Sequence, residues 1–455
     1  MNHLRDLACF IAELRYEELP DELILRLKQS ILDSIGCALH GGSTKWGGLI
    51  AGYVSPNKGP CPVWATGDSV DAGNAALANG TMIHSFEMDD LHLPSRSHPG
   101  GVTLPVVFAL AADGVPVDGR KLLVSLAAGY ELTIRVGMCQ GVSSFERGWH
   151  PTGSAGCFGS TAAAAKALGL SADHVQHALG VGGTMPCGLM AAQYGAMVKR
   201  LYAGHAAMVG LMSARLAAGG FTGIADIFDV EFGGYPHAVS DKIDLGWLSK
   251  GLGKDFESRN IGLKFYPSVG ASQTALDSIK TIMKRERFSL DQIERVIVTT
   301  SEYQKAHAGW PYVPSTVMAA QMSIQYGAAV MLLNGRVSVE HYSEKFIRDD
   351  AILNLANKVE VHVDPNQKDQ DRGASVEIRL LNGGVLKEET KVPRGFPGNA
   401  ATWEDVTEKF RLVTADILDH ASRDEVISIV RDIESLTAIN QLQEKIVAAV
   451  RKNRS

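Results

Sequence analysis

The sequence lacks the cysteine patterns that disulfide frameworks, zinc ribbons and iron–sulfur clusters require. Its six cysteines stand singly, no two have Cys-x-x-Cys spacing, and none follows Cys187. A thiolate site needs several cysteines that converge, so we predict that these are buried apolar side chains and that the chain holds no such cluster. Unpaired cysteines also suit a reducing compartment, and we expect a cytoplasmic protein.

Long apolar runs and an excess of positive charge are missing as well. Residues 1–7 are charged and amphipathic, unlike the apolar core of a signal peptide, and no stretch has the length and composition of a membrane span. The chain has 44 lysines and arginines and 50 aspartates and glutamates, which give a formal net charge of −6. We therefore expect no membrane or nucleic-acid partner, and an anionic substrate would need cations placed locally.

What is present is a globular composition, with 45% hydrophobic and 21% charged residues over 455 positions. Up to about residue 265 the apolar residues recur at helical 3–4 spacing, and residues 401–455 return to it. Between these regions, alternating stretches indicate strands at Ile293–Thr300, Lys358–Asp364, Ser375–Leu381 and Val385–Val392. We predict a mainly α fold: a large all-helical domain over 1–265, completed by 401–455, and a smaller α/β domain over 266–400.

The densest group of polar side chains lies between residues 84 and 101. We predict a helix over Asp71–Asp90 that ends in this group, followed by a loop at Pro94 that carries two histidines and one arginine. Carboxylates beside imidazoles suit proton abstraction and return, because such neighbours bring the pKa of histidine close to working pH. A polar helix end with a solvated loop accounts for the same residues, so both interpretations stay open.

The same residues offer ligands for a divalent metal ion. The ligand set would be His84, Asp89, Asp90, His92 and His98. Their spacing matches no closed zinc pattern, and the His-Glu-x-x-His motif of zinc proteases is absent. We therefore predict a site without metal.

Two further segments offer binding groups. His150 stands between Trp149 and Pro151, directly before a helix start rich in small residues, whose free backbone N–H groups suit a carboxylate. Lys199 and Arg200 precede a helix of small residues and can supply the fixed positive charge that an anionic substrate needs. A structural histidine and a solvated surface charge are the competing interpretations. No Gly-x-Ser-x-Gly elbow or cysteine–histidine nucleophile pattern is present.

These segments, taken in order along nearly the whole chain, resemble the MmgE/PrpD family, which includes 2-methylcitrate dehydratases, cis-aconitate decarboxylases and iminodisuccinate epimerases. The matching motifs are Leu32–Ala38, Ala75–Gly80, His84 with Asp89–Asp90, His98–Pro99, Gly148–Gly153, Lys199–Gly204, Lys264–Pro267 and Pro393–Asn399. Each motif alone is weak, but together and in the correct order they are specific.

The resemblance implies both a fold and a chemistry. A large helical domain and an α/β lid would enclose the active site, the protein would be a homodimer, and neither metal nor organic cofactor would be needed. The enzyme would move a proton at a carbon adjacent to a carboxylate of a small di- or tricarboxylic acid. A lyase of the 2-methylcitrate dehydratase type is expected, and the alternatives are an epimerase, a cis-aconitate-type decarboxylase or a non-catalytic binding protein of the same fold.

The resemblance also assigns residues. Those implied to be catalytic are His98, His150, Lys199, Asp89 and Asp90, and those implied to bind substrate are Glu87, Arg200, Tyr326 and Lys264. The chain departs from its relatives at Glu87, where many carry Asp, and at Leu91, where they often carry Thr. The loop 93–97 is one residue longer than in cis-aconitate decarboxylases, and 266–273 lacks the Cys, Arg and His often found there. Such changes alter the pocket and leave the substrate open.

Overall fold

The computed structural model describes residues 2–368 and 371–454, and its fold is mainly α with a smaller α/β region, as predicted. The helices before residue 265 are α1 His3–Glu13, α2 Asp21–Gly42, α3 Lys45–Val54, α4 Ala72–Ile83, α5 Pro99–Ala112, α6 Gly119–Glu146, α7 Pro151–Ser154, α8 Gly156–Leu168, α9 Ala172–Gly182, α10 Val198–Ala218, α11 Tyr235–Val239 and α12 Gly246–Ser249. A short two-stranded ribbon, β1 Lys58–Pro62 and β2 Ser69–Val70, interrupts them. The ribbon was not predicted, because its proline-rich sequence lacks the alternation of a strand.

Close packing of small residues positions the site within the helical region. Side-chain caps begin several helices; Asp71 and Ser171, for example, accept hydrogen bonds from backbone N–H groups of the first turn. In α10, Gly204 approaches α4 so closely that a Cβ at this position would lie 2.1 Å from the carbonyl oxygen of Leu77. The start of α10 therefore lies beside the end of α4.

Helix α6 belongs to the core. It is long and apolar enough to cross a membrane, but 94% of its most apolar window is buried inside the protein. The helix is kinked at Gly141, whose φ of 63° suits glycine. It packs along α8 and α5, as the central helix of a packed domain does.

The α/β region holds a four-stranded sheet. Its helices are α13 Gln273–Arg285, α14 Glu302–Ala308, α15 Val317–Gln321, α16 Ile324–Asn334 and α17 Asp350–Ala356, and its strands are β3 Ile293–Thr300, β4 Val359–Val363, β5 Ala374–Leu380 and β6 Val385–Thr390. The strand order is β4-β3-β5-β6; β3 is parallel to β4 and antiparallel to β5, and β5 and β6 form a hairpin. The four predicted strands are confirmed to within two residues at each end.

The C-terminal helices return to the helical region. They are α18 Trp403–Val413, α19 His420–Arg431 and α20 Asn440–Arg454; α18 packs on α2, and α20 packs on α5. Lys409 of α18 is buried, forms an ion pair with Asp33 of α2, and donates a 2.6 Å hydrogen bond to the carbonyl oxygen of Met88. The C-terminal segment therefore supports the backbone beside the polar cluster.

The predicted helix over Asp71–Asp90 is wrong beyond Ile83, where α4 ends. Residues 85–90 form a buried irregular segment, in which Glu87 has a φ of 56°. Their polar side chains find partners on α5, α6 and α10 and in the segment before the sheet. These tertiary contacts outweigh the local helical preference.

Candidate active site

The three predicted polar segments meet at a cavity between the helical region and the α/β region. Its wall is formed by Glu87, Leu91, Leu93, Arg96, His98, Phe145, His150, Pro151, Met190, Lys199, Lys264, Val269, Gly270, Ala271, Tyr303, His307, Met322 and Arg372. An apolar wall with a few converging charged groups is typical of a small-molecule site.

Two histidines enter this wall from helix starts. His98 and His150 are the N-cap residues of α5 and α7, and each precedes a proline at the first helical position. Proline disfavours the helical conformation in the residue before it, and it lacks the N–H that would be unpaired at the first position. Each His-Pro pair therefore starts a helix and leaves the imidazole outside it.

Glu87 pairs with the cations at the start of α10. Its carboxylate forms ion pairs with Lys199 and with Arg200, the latter at 2.6 Å, and lies 3.5 Å from Lys264 Nζ. Cations in the first turn are unfavourable beside the positive end of the helix dipole, so an anion is needed there. Burial alone would raise the pKa of Glu87, but these three cations hold it well below its ordinary value. Burial lowers the pKa of Lys199.

Asp89 connects two histidines to a lysine. Its Oδ2 lies 2.6 Å from His84 Nδ1 and 3.2 Å from His98 Nδ1. Its Oδ1 accepts a 3.2 Å hydrogen bond from Lys264 Nζ. The His84 contact is a hydrogen bond, whereas the His98 contact has ion-pair distance without hydrogen-bond alignment. Burial alone would raise the pKa of Asp89, but its three partners hold it well below the ordinary value.

The backbone beside Lys264 is held by the Pro393–Asn399 motif. Leu263 donates a 3.0 Å hydrogen bond from its N–H to the carbonyl oxygen of Gly395. Gly395 has a φ of 92°, and a Cβ there would lie 2.2 Å from the carbonyl oxygen of Leu263, so the position requires glycine. This distant motif thus contributes to the site by fixing the chain that carries the lysine.

Three imidazoles cluster at the site, and only His98 has both a carboxylate contact and a place in the wall. The ring centroid of His84, which is fully buried, lies 4.7 Å from that of His98 and 5.6 Å from that of His150. Burial lowers the pKa of His84 to about 4 and that of His150 well below its ordinary value, so both are neutral near pH 7. His98, supported by Asp89, is therefore the histidine best placed to exchange a proton.

Asp90 does not lie in the cavity wall. Its carboxylate accepts hydrogen bonds from the Tyr130 hydroxyl at 2.7 Å and from the N–H of Gly100 at 3.0 Å, so it fixes the start of α5. Burial raises the pKa of Asp90 to about 7. The predicted catalytic role of Asp90 has no support from this geometry.

Arg200 and Tyr326 also lie outside the wall. Arg200 is fully buried and bonds Glu87 and the Oε1 of Gln321, the latter at 2.9 Å. Tyr326 is fully buried in α16 and donates a hydrogen bond to the carbonyl oxygen of His341. Their predicted contact with substrate is not supported, and Arg200 instead positions Glu87.

His84, Asp89 and His98 are a donor set that a divalent metal ion could use, since their ligand atoms lie within 4.8 Å of one another. Lys264 Nζ lies 3.2 Å from the same carboxylate. A fixed ammonium group at that distance repels a divalent cation. A site without metal therefore stays a prediction, which activity in the presence of a chelator tests.

Arg96, Tyr303, His307 and Arg372 line the cavity but had no role in the predicted site. Tyr303 and His307 are four residues apart in α14, just after β3. This spacing places both side chains on one face of the helix, and it could have indicated that they share a site. Arg372 precedes β5 in a loop, where local sequence gives no signal. Arg96 was noted only as the arginine of its loop.

Comparison with known proteins agrees with the motifs. The MmgE/PrpD N-terminal domain matches residues 5–245, and the MmgE/PrpD C-terminal domain matches residues 266–435. A cis-aconitate decarboxylase-like protein of Aspergillus oryzae is 30% identical over 97% of this chain and 96% of its own. The cis-aconitate decarboxylase of Aspergillus terreus is 28% identical over 95% of this chain and 93% of its own. The 2-methylcitrate dehydratase of Salmonella typhimurium is 24% identical over 74% of this chain and 72% of its own. The chain belongs to the MmgE/PrpD family.

Proposed function

We propose that the protein is a cofactor-free carboxy-lyase that removes one carboxylate as CO₂ from a small unsaturated tricarboxylic acid of the cis-aconitate type. The observation that supports this best is His98, which lies in the wall of a cavity that also holds Lys199 and Lys264 and contacts the buried carboxylate of Asp89 behind that wall. The relatives named for cis-aconitate decarboxylation match almost the whole chain, whereas the match to the dehydratase covers 74% of it. Decarboxylation is therefore favoured over the dehydration that the resemblance led us to expect.

Lys199 and Lys264 bind substrate carboxylates in this proposal. Both ammonium groups are buried, so water and salt screen their attraction to an anion only weakly. Both also contact Glu87, which holds them in place before substrate arrives. A bound carboxylate then accepts charge-assisted hydrogen bonds from donors that need no rearrangement.

The chemical step requires one proton delivered to carbon. The carbon–carbon bond to the leaving carboxylate breaks, CO₂ departs, and the electron pair passes into the adjacent double bond. The carbon that gains this electron density takes a proton from His98, whose protonated form Asp89 stabilises. The two lysines stabilise the negative charge that develops, and solvent returns a proton to His98.

A hydro-lyase is the second candidate, because the wall holds a second imidazole. The ring centroids of His98 and His150 are 6.4 Å apart and the rings are nearly parallel, at 11°. One ring could take a proton from carbon while the other protonates a leaving hydroxyl. An epimerase fits less well, because it needs bases on opposite faces of one carbon, each about 2.6–3.2 Å from the proton it exchanges. With the radius of each ring added, the two ring centroids would have to lie farther apart than the observed 6.4 Å.

A homodimer is the proposed assembly. Leu189, Tyr194, Met197 and Val198 are exposed apolar side chains in one stretch directly before Lys199. Exposed apolar side chains grouped in this way favour a contact between subunits. Light scattering after size exclusion should give twice the mass of one chain, and the mass of a single chain would contradict the dimer.

Proton NMR of the purified protein in D₂O tests the reaction directly. We would add cis-aconitate, citrate, 2-methylcitrate and iminodisuccinate in turn, with and without a metal chelator. The expected result is loss of CO₂ from cis-aconitate, one deuterium in the product and no effect of chelator. Loss of water from a citrate would favour the hydro-lyase, and deuterium exchange without net conversion would favour an epimerase. No change with any acid would contradict the proposal and favour a non-catalytic binding protein.

A further inference from the structure

The loop between His92 and His98 delivers an arginine to the cavity in an unusual backbone conformation. Arg96 has a φ of 54°; in the described part of the chain, the other non-glycine residue with positive φ is Glu87, and both line this cavity. The left-handed region is unfavourable for residues other than glycine, and such residues cluster at ligand sites. The conformation of Arg96 therefore points to a role of its side chain in the cavity.

The guanidinium of Arg96 is held by aromatic rings. Its central carbon lies 5.4 Å from the ring centroid of Phe145 and 5.1 Å from that of Tyr303. Aromatic faces hold a guanidinium in place without neutralising its charge. Over residues 2–368 and 371–454, no carboxylate forms an ion pair with Arg96, and its buried Nε has no hydrogen-bond partner. Because the five N–H donors of a guanidinium match the two oxygens of a carboxylate, this group is ready to bind an anion.

Arg96 stands where two cavities meet. Together with Phe145, Met190 and Tyr303 it lines both the inner cavity, which contains His98, and an adjoining outer cavity of about 510 Å³. The lysines of the site line only the inner cavity. A ligand bound by the lysines and extending toward the outer cavity would therefore meet the guanidinium.

We propose that Arg96 binds one carboxylate of the substrate, in addition to the carboxylates held by Lys199 and Lys264. The preferred ligand is then a tricarboxylic acid, because a dicarboxylic acid held by the two lysines would leave Arg96 without an anion, whereas both lysines already contact Glu87. This inference rests on the proposed function for the carboxylic nature of the substrate. Arg96 determines specificity and takes no part in proton transfer.

Calorimetry with unreactive acids tests this without turnover. The probes are propane-1,2,3-tricarboxylate and glutarate, which is the same chain without the central carboxylate. The test variant is Arg96→Gly, because glycine suits the left-handed conformation and removes only the side chain. Arg96→Lys keeps the charge without the planar fork, and Arg147→Ala is the control, since Arg147 is an exposed arginine paired with Asp241 outside the cavity.

Arg96→Gly should weaken binding of the tricarboxylate by about 10- to 100-fold, the effect of losing one charge-assisted contact. Its affinity for glutarate should change less than about twofold. Arg96→Lys should lie between wild type and Arg96→Gly, and Arg147→Ala should match wild type. Thermal unfolding of each variant would verify that it folds.

Equal losses for both acids, or no loss for either, would overturn the assignment of Arg96 even if the lyase activity were present. If Arg96→Gly weakened binding of the tricarboxylate alone and NMR showed no turnover of any acid, Arg96 would still be assigned to carboxylate binding, but the lyase would be rejected. If wild type bound neither acid, both this inference and the proposed function would fail.

Discussion

At the scale of single residues, two neighbouring aspartates have opposite electrostatic surroundings. His98, Lys264 and His84 overcome burial and hold the pKa of Asp89 well below its ordinary value. Asp90 faces Tyr130 instead, and burial raises its pKa to about 7. Asp89 is therefore an anion that contacts His98, the proposed proton donor, whereas Asp90 bonds to Tyr130 and to the start of α5.

The matched variants Asp89→Asn and Asp90→Asn separate these roles. Asp89→Asn should lower kcat by about 100-fold or more, because His98 loses the charge that stabilises its protonated form. Asp90→Asn should keep kcat within about fivefold, because an amide oxygen can still accept the hydrogen bonds of Tyr130 and Gly100. Steady-state kinetics of both variants checks this, and losses of equal size would contradict the distinction.

Local sequence could predict part of the site. His98 and His150 precede prolines, so their place at helix starts follows from short-range sterics. Glu87 and Arg96 could not be predicted in their left-handed conformations, because these depend on partners far along the chain. For Tyr326, the resemblance suggested a substrate contact, but its hydroxyl donates a hydrogen bond to the backbone carbonyl of His341.

At the scale of helices and strands, periodicity predicted most elements because one buried face imposes a regular spacing. The same rule failed at the end of α4, where buried ion pairs rather than an apolar face determine the path of the chain. The contact between α18 and this segment could not be predicted from periodicity either. Lys409 and Met88 are far apart in sequence, and nothing near either residue indicates their hydrogen bond.

Lys409→Met should destabilise the fold by about 3–5 kcal/mol, because it leaves the carboxylate of Asp33 buried without its cation. Lys445→Met is the matched control, since Lys445 pairs with Glu425 at the exposed surface, where solvent screens the pair and its loss should change stability little. Denaturant unfolding of the two variants measures the difference. Equal stabilities would show that α18 does not anchor the site.

At the scale of the whole molecule, the fold encloses many neutral imidazoles. Burial lowers the pKa of His40, His84 and His307 to about 4, that of His92 to about 3, and that of His150 well below its ordinary value. Between roughly pH 4 and 6.5 the unfolded chain takes up protons at these positions, whereas the folded chain does not. Their contribution to stability is therefore complete above about pH 6.5 and is lost as the pH falls.

We predict that the unfolding temperature falls as the pH is lowered from 7 to 5. Asp90 acts in the opposite direction, because its raised pKa lets the folded chain hold a proton up to about pH 7. Burial also raises the pKa of Asp33 and Asp277, but the histidines outnumber these three carboxyl groups. Calorimetry at a series of pH values tests the sign. An unfolding temperature that is constant or rises over this range would show that the histidines are not neutral in the folded chain.

In the proposed mechanism, His98, supported by Asp89, transfers the proton to a carboxylate substrate. The most direct test is the kcat of His98→Gln beside its affinity for propane-1,2,3-tricarboxylate. We predict a loss of kcat of at least about 100-fold, with affinity for the tricarboxylate within a few-fold of wild type, because Lys199 and Lys264 remain in place. Turnover close to wild type would remove His98 from the mechanism.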